Sequence, residues 1–272
     1  MYILVTICAR GGSKGLPGKH MSGLMGKPVI LWTVGQALHW RDSHPRHNVD
    51  IVVSSDDTGI LDCVGVYCGM EGKGVILSRR ADSLAYDCTP KVPVIRDCLL
   101  ERESNGDGVY DVVIDLDATA PLRKPGDIDD CLREWSKETS KGTIDTVYTG
   151  VVSRRNPYFN MVQTDVGGCP EGVMCSGDKG KRIDRRQDAP YTYDVVGAVG
   201  LFRAGYLRQG GNTLLARDSR IVVLEEWQGF DIDTEFDLWL VEQVMGKMAA
   251  KMAGVKEAAA QTSGKVKRSK KG

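Results

Sequence analysis

The chain lacks the features that mark several large protein classes. Its 272 residues contain no run approaching the roughly 20 apolar residues that a membrane-spanning helix needs. It carries no net charge, because 36 Lys and Arg balance 36 Asp and Glu. This balance excludes a wholly basic nucleic-acid binder and a wholly acidic disordered chain. The hydrophobic share of 42% and the charged share of 26% are ordinary for a globular protein with a sizeable core.

The eight cysteines lack the spacing of a metal or redox motif, since no C-x-x-C occurs. They are scattered along the chain, and the apolar run at 3–9 is short and has no positive charge before it. This run is therefore a poor signal peptide and is better explained as a buried strand. We predict reduced thiols and a cytoplasmic location.

The neutral total hides two unlike parts. Residues 247–272 contain eight Lys and Arg and one acid, which gives a net charge of +7. Residues 1–246 therefore carry −7. We assign 1–246 to one folded domain and 247–272 to a basic C-terminal extension whose end is predicted to be disordered. A nuclear-targeting or nucleic-acid-binding role for this extension is an open alternative, although nucleic acid is not the favoured partner.

Short β-branched runs alternate with longer helical patterns through the first part of the chain. Strands are predicted over 2–9, 50–54, 74–77, 109–116 and 146–152, and helices over 28–38, 58–70, 90–103 and 128–137. Nearly continuous apolar strands between helices predict an α/β fold with a Rossmann-like, mostly parallel sheet covered on both faces. Beyond an irregular excursion at 157–195, we expect strands at 198–203 and 220–225 and a closing helix at 234–252.

A glycine-rich basic segment follows the first predicted strand directly. It reads A-R-G-G-S-K-G-L-P-G-K-H over 9–20. Glycines let the backbone approach an anion closely, so that N–H groups can face phosphate oxygens. Arg10, Lys14 and Lys19 add three cations, and together these features suit a triphosphate. The spacing matches neither the P-loop nor the dinucleotide-binding G-x-G-x-x-G motif.

Two acids, Asp231 and Asp233, precede the last predicted helix. In an extended segment, residues two apart point to the same side, so both carboxylates can face one hard cation. Mg²⁺ takes few carboxylates and completes its shell with phosphate oxygens and water. We predict a magnesium site here, and the alternative is that Asp233 or Thr234 caps the helix.

The segment at 9–20 closely resembles the signature of the acylneuraminate cytidylyltransferases, the CMP-sialic acid synthetases, which is near A-R-x-x-S-K-G-[IL]-P-x-K-N. His20 stands where that family has asparagine. Five further blocks resemble the family: V-V-S-S-D-D at 52–57, R-A-D-S-L-A-Y-D at 80–87, L-D-A-T-A-P-L-R at 116–123, R-R-Q-D-A-P at 185–190 and D-I-D-T-E at 231–235. The resemblance covers about residues 3–242.

This resemblance implies transfer of CMP from CTP to the anomeric hydroxyl of a nine-carbon 2-keto sugar acid, with release of pyrophosphate. It implies Mg²⁺ bound by Asp231 and Asp233, and a homodimer in which the 157–195 excursion makes contacts near the partner's site. The candidate catalytic residues are then Arg10, Lys14, Lys19 and Asp233. The candidate substrate-binding residues are Gly12, Ser13, His20, Arg80, Asp117, Thr119, Arg186 and Gln187.

Asp117 occupies the place of a family glutamine that helps to bind the sugar. An ionised carboxylate accepts hydrogen bonds but cannot donate them as an amide does. We therefore expect an acceptor other than N-acetylneuraminate, such as legionaminic acid or another nine-carbon 2-keto sugar acid. Two alternatives stay open: a Kdo-type or other sugar nucleotidyltransferase, and a catalytically inactive nucleotide-binding protein.

Overall fold

The computed structural model describes residues 1–70, 74–86, 88–106, 108–137, 143–164, 170–172 and 183–251. Almost all of the basic extension, including the end that is predicted to be disordered, lies outside these residues, as does part of the 157–195 excursion. Within the described residues, no helix is both long and apolar enough to cross a membrane.

Eleven strands and six helices follow one another in these residues. The strands are β1 (Tyr2–Cys8), β2 (Gly23–Leu24), β3 (Lys27–Pro28), β4 (Asn48–Ser55), β5 (Ile76–Arg79), β6 (Val112–Asp115), β7 (Thr146–Val152), β8 (Val162–Thr164), β9 (Pro170–Gly172), β10 (Tyr193–Arg203) and β11 (Ser219–Val223). The helices are α1 (Val29–Ser43), α2 (Thr58–Met70), α3 (Lys91–Ser104), α4 (Pro125–Trp135), α5 (Ala204–Arg208) and α6 (235–251).

Seven of the strands form one sheet in the order β11-β7-β10-β6-β1-β4-β5. Strand β1 pairs in parallel with both β4 and β6, β4 pairs in parallel with β5, and β11 pairs in parallel with β7. Only β10 runs antiparallel to its neighbours β6 and β7 in this sheet. The predicted mostly parallel α/β sheet is confirmed, and the excursion contributes the small separate hairpin of β8 and β9.

Strand β1, which lies inside the sheet between β6 and β4, is buried on both faces. Ile3, Val5 and Ile7 pack into a core with apolar residues of α1, α2 and α4. Leu4 points to the opposite face and packs with apolar residues of α3 and α5. Alternate residues of a strand point to opposite faces, so helices on both sides require this continuous apolar sequence.

Several predicted boundaries were wrong although the elements exist. Helix α2 matches its prediction, but α1 continues to Ser43 and α4 begins at Pro125. Proline is acceptable at the first helical position because its missing N–H would have no partner there. Strand β6 is shorter than the predicted 109–116, and β10 begins at Tyr193 rather than at 198. Hydrogen bonding with neighbouring strands sets the ends of β6 and β10. The apolar pattern of one strand does not show where that pairing begins or ends.

The topology places a crevice at one edge of the sheet. Strands β1, β4, β5 and β6 are parallel, so the segments that follow them emerge at the same edge. The chain builds outward from β1 to β4 and β5 and then returns to the other side of β1 with β6. Such a reversal of strand order opens a crevice at the carboxyl ends, which is where open α/β sheets bind their ligands.

A buried arginine holds the backbone below this crevice. Arg123 is only 4% exposed, and it donates hydrogen bonds to the carbonyl oxygens of Asp117 (2.8 Å) and Ala198, and to Gln36 Oε1 (2.8 Å). Burial lowers the pKa of Arg123 to about 10, so the guanidinium is still protonated at neutral pH. One side chain thereby fixes β10 and the end of β6 to helix α1.

We expect Arg123→Met to lower the free energy of unfolding by about 3 kcal/mol or more, because it leaves buried oxygens without their donor. Arg154→Met is a matched control, since the Arg154 side chain is 73% exposed and pairs with the exposed Glu226. Its effect should stay within about 1 kcal/mol. Urea denaturation measures both, and equal small losses would contradict the proposed role of Arg123.

Candidate active site

A cleft of about 320 Å³ lies at the carboxyl edge of the sheet. Most of the site residues predicted from the sequence line it, although they come from distant parts of the chain. They are Arg10, Gly12, Ser13, Lys19, His20, Arg80, Asp117, Thr119, Asp231 and Asp233. Cys8, Thr89 and Lys91 also line the cleft and were not predicted.

Three predicted residues are not part of this lining. Lys14 is exposed on the same glycine-rich loop. Arg186 and Gln187 line a second cavity of about 370 Å³, together with Asn156 and Tyr191. A role for these three side chains in substrate binding stays a prediction.

The glycine-rich loop is fixed closely against the segment that carries the carboxylate pair. A Cβ atom at Gly15 would lie 2.3 Å from the carbonyl oxygen of Asp233, so only glycine fits there without a shift of the backbone. Leu16 of the loop packs in one apolar cluster with Ile232. Lys19 Nζ consequently reaches Asp233 Oδ1 at 2.7 Å.

The other end of the loop is held by the segment after β4. The N–H of Gly11 donates to Asp56 Oδ1 at 3.0 Å, and Arg10 Nε donates to the carbonyl oxygen of Gly12 at 2.8 Å. Arg80, which follows β5, is 6% exposed and donates to the carbonyl oxygen of Ser54 at 3.0 Å. Three cations of the cleft, Arg10, Lys19 and Arg80, are thus positioned by the ends of parallel strands.

Helix capping and the carboxylate pair use different side chains. Thr234 Oγ1 accepts a hydrogen bond from the N–H of Asp237 at 3.2 Å, and Asp237 Oδ2 accepts one from the N–H of Thr234 at 2.8 Å. This reciprocal arrangement caps α6. Ile232 is fully buried between Asp231 and Asp233, which both line the cleft. The capping alternative therefore holds for Thr234 and leaves both carboxylates available.

The chemistry of this pair suits a hard divalent cation. Burial raises the pKa of Asp231 above its ordinary value, and the negative charges of Asp233 and Asp117 raise it further. A divalent cation between the two carboxylates would relieve this repulsion. Within the described residues no group of three or more His, Cys, Asp or Glu could hold a metal ion. Two carboxylates fit Mg²⁺ only if phosphate oxygens and water complete its shell.

Lys91 and two aspartates form a charged cluster in the cleft. Lys91 Nζ lies 2.7 Å from Asp115 Oδ2 and 2.8 Å from Asp117 Oδ2. Burial opposes the charge on Lys91, but the two carboxylates outweigh it and raise the pKa of Lys91 above its ordinary value. Burial likewise opposes the charge on Asp117, and Lys91 and Thr119 outweigh it, so its pKa lies well below the usual range. Lys91 and Asp117 are therefore both charged at neutral pH.

Cys8 is not an activated nucleophile despite its place in the cleft. A hydrogen bond with Cys98, burial and the charge of Asp115 raise the pKa of the Cys8 thiol well above its ordinary value. A thiol reacts as its thiolate, so this environment keeps Cys8 unreactive at neutral pH.

His20 is a buried neutral side chain at the site of the family asparagine. It is 6% exposed, and its buried Nδ1 atom has no hydrogen-bond partner among the residues that the structure describes. Burial lowers the pKa of His20 to about 4, and the positive charge of Lys19 adds to this effect. A neutral imidazole still offers one donor or one acceptor to a ligand.

Comparisons with known proteins agree with this geometry. The family model described as Cytidylyltransferase matches residues 4–195. The chain is 35% identical to the CMP-N,N'-diacetyllegionaminic acid synthase of Legionella pneumophila over 90% of this chain and 97% of that one. It is 33% identical to the protein of the same name from Campylobacter jejuni, over 88% of this chain and 93% of the other.

A solved structure shows the same fold. It is CMP:2-keto-3-deoxy-manno-octonic acid synthetase complexed with CTP, with a TM-score of 0.59 at 17% identity. The match covers 91% of this chain and 100% of that chain.

We expect acid to destabilise the protein partly through His20. Because its pKa in the folded state is about 4 and its ordinary value is 6.5, the unfolded chain takes up the proton first as the pH falls. This contribution is complete above pH 6.5 and is lost progressively toward pH 4. His20→Asn should therefore reduce the stability lost between about pH 7 and pH 5 by about 2 kcal/mol. Urea denaturation at both pH values measures the difference, and identical losses in both proteins would contradict it.

Proposed function

The chain belongs to the cytidylyltransferase family, and from this we propose that it transfers CMP from CTP to the anomeric hydroxyl of a nine-carbon 2-keto sugar acid of the sialic or legionaminic type, releasing pyrophosphate. The observation that carries the proposal is the meeting of the glycine-rich loop, Arg80 and the carboxylate pair in one cleft. A cleft that holds several cations beside two acids suits a triphosphate with a bound metal ion.

The cations of the cleft serve the nucleotide in this proposal. Arg10 and Lys19 stabilise the negative charge of the triphosphate and of the leaving pyrophosphate. The loop between them offers backbone N–H groups at Gly12 and Ser13, where an added side chain at Gly12 would meet no atom within 4 Å. That open space leaves room for a phosphate to approach the backbone. Arg80 has a planar donor fork suited to phosphate or to the pyrimidine.

Asp231 and Asp233 are the residues that would hold Mg²⁺. When bound there, the ion would lower the pKa of the acceptor hydroxyl and neutralise charge that develops on phosphate. Lys19 contacts Asp233 at 2.7 Å, so it also stands beside the position where the phosphates would meet this pair. Among the described residues of the cleft, His20 is a weak base because its pKa is low.

The acceptor class rests on the relatives together with Asp117. Two relatives that align with nearly the whole chain are named as synthases of CMP-N,N'-diacetyllegionaminic acid. Asp117 presents a charged acceptor group to the cleft where the resemblance expects a glutamine amide. Both observations favour a legionaminic acid over N-acetylneuraminate. Kdo is the less favoured acceptor, because the solved Kdo-type structure shares the fold at only 17% identity.

The homodimer and the cytoplasmic location stay predictions. Support for the dimer comes from exposed apolar side chains around the excursion, such as Tyr191, which is 85% exposed, and Val162, which is 66% exposed. A second copy that covers this face would bury them. The basic extension beyond residue 251 lies outside the described residues, and its role is not assigned.

The direct test is pyrophosphate release from CTP with Mg²⁺ and four acceptors side by side: N,N'-diacetyllegionaminate, N-acetylneuraminate, pseudaminate and Kdo. We expect turnover to be fastest with N,N'-diacetyllegionaminate and to need CTP rather than ATP. Faster turnover with Kdo would support the Kdo-type alternative. No pyrophosphate release with any acceptor would support the inactive nucleotide-binding alternative.

We expect Asp233→Asn to lower kcat by about a hundredfold or more, because an amide is a weaker magnesium ligand and holds no negative charge. The Mg²⁺ concentration for half-maximal rate should rise in the same variant. Asp62→Asn is the matched control, since Asp62 is an exposed residue of α2 away from the cleft lining. Equal magnesium dependence in wild type and Asp233→Asn would contradict the assignment.

A further inference from the structure

Lys91 is a cation of the cleft whose charge is held between two carboxylates. It is the first residue of α3, directly after Pro90. Its Nζ atom contacts Asp115 at 2.7 Å and Asp117 at 2.8 Å, and 36% of the side chain is still exposed to the cleft. An ammonium group has three N–H donors, and these two contacts leave one of them for a ligand.

Asp115 serves as the inner anchor of this cluster. Its side chain is 6% exposed, and it lies at the end of the otherwise apolar strand β6. One carboxylate oxygen accepts from Lys91, and the other accepts from Thr6 Oγ1 at 2.9 Å. Both oxygens of Asp115 accept from protein groups, and Asp115 is not among the residues that line the cleft.

Asp117 is the outer member, with 28% of its side chain exposed. Its Oδ1 atom accepts from the N–H of Thr119 at 2.9 Å and from Thr119 Oγ1 at 2.7 Å. Its Oδ2 atom accepts from Lys91 and has a second lone pair. Lys91 and Asp117 thus present one donor and one acceptor side by side at the cleft surface.

This combination selects a particular kind of ligand group. A hydroxyl or a secondary amide both donates and accepts, so it can satisfy the two side chains together. A phosphate offers only acceptors and would be repelled by Asp117. With two carboxylates and one ammonium, the cluster carries a net negative charge, which also disfavours a triphosphate.

We infer that Lys91 is a specificity-determining residue that binds a hydroxyl or amide group of the acceptor sugar jointly with Asp117. The inference rests on the proposed function and adds a residue to it. Lys91 sets the geometry of the Asp117 carboxylate and supplies the donor that a carboxylate lacks. The pair thereby replaces the single amide side chain that the family resemblance places at position 117.

The position of the pair favours the acceptor over the ribose of CTP. The backbone after Asp117 is joined directly to the carboxylate segment, since the N–H of Ile232 donates to the carbonyl oxygen of Thr119 at 2.9 Å. Asp117 and Asp231 also line the same cleft. In the proposed reaction the acceptor hydroxyl must come to this carboxylate segment, so the pair lies beside the acceptor.

The test compares wild type with Lys91→Met, which keeps a side chain of similar length and removes its charge. Both proteins are assayed with CTP, Mg²⁺ and the acceptor that the wild type turns over fastest. We expect the KM for the acceptor to rise by about tenfold or more, as for the loss of a hydrogen bond to a charged group. The KM for CTP should stay within about twofold of wild type. Lys137→Met is the matched control, since Lys137 forms an exposed ion pair with Glu134 away from the cleft.

A double variant separates binding from a merely structural role. Lys91→Met leaves Asp117 without its partner, whereas Lys91→Met with Asp117→Asn replaces the ion pair by a neutral amide. We expect the double variant to have a lower acceptor KM than Lys91→Met alone, because the neutral amide at position 117 leaves no unpaired carboxylate beside the acceptor. If Lys91→Met does not fold, Asp117→Asn alone keeps the contact of Lys91 with Asp115 and should still raise the acceptor KM.

Two results would overturn the inference. One is an unchanged acceptor KM in Lys91→Met, and the other is an equal or larger rise in the KM for CTP. These outcomes are distinct from failure of the proposed function, which would appear as no wild-type turnover with any of the sugar acids.

Discussion

The backbone of Gly15 lies against the carbonyl oxygen of Asp233, and this contact determines how near the cation loop can come to the carboxylate pair. Even a methyl group at Gly15 would force the two segments apart. The contact between Lys19 and Asp233, the packing of Leu16 with Ile232 and the shape of the cleft all follow from it. Residues from opposite ends of the chain become one site because a glycine allows the approach.

Opposite charges are interleaved in the cleft rather than separated into two halves. Arg10, Lys19 and Arg80 come from loops that strand ends position, while Asp231 and Asp233 come from the segment before α6. The Lys91 cluster lies among them, and each of its two carboxylates contacts the ammonium group of Lys91. Buried charges require such pairing, because an isolated ion in a poorly hydrated site would lose its proton or gain one.

The apolar pattern predicted the sheet and most of its helices, because helices on both faces demand continuous apolar strands such as β1. The residues of the cleft that stand in recognisable motifs, such as Arg10 and Asp233, were also found from the sequence. Lys91 was missed, since a lysine at the start of a helix beside a proline looks like an exposed residue. The available signal was Asp115, an acid at the end of an otherwise apolar strand, which needs a buried cation as its partner. Strand ends such as those of β6 and β10 were misplaced because they depend on pairing with distant strands.

The position of β1 between β6 and β4 has a consequence for how the sheet folds. Its neighbour β4 lies close along the chain, since Tyr2 pairs with Asn48, but its other neighbour β6 is more than 100 residues away, since Ile3 pairs with Val112. Until β6 pairs with β1, one edge of β1 has no neighbouring strand. Apolar residues on its two faces, such as Ile3 and Leu4, are then incompletely covered. Sheets built from such distant pairings form slowly. The pairing of β1 with β6 closes the longer of these two loops, so we expect it to limit the rate at which the sheet folds.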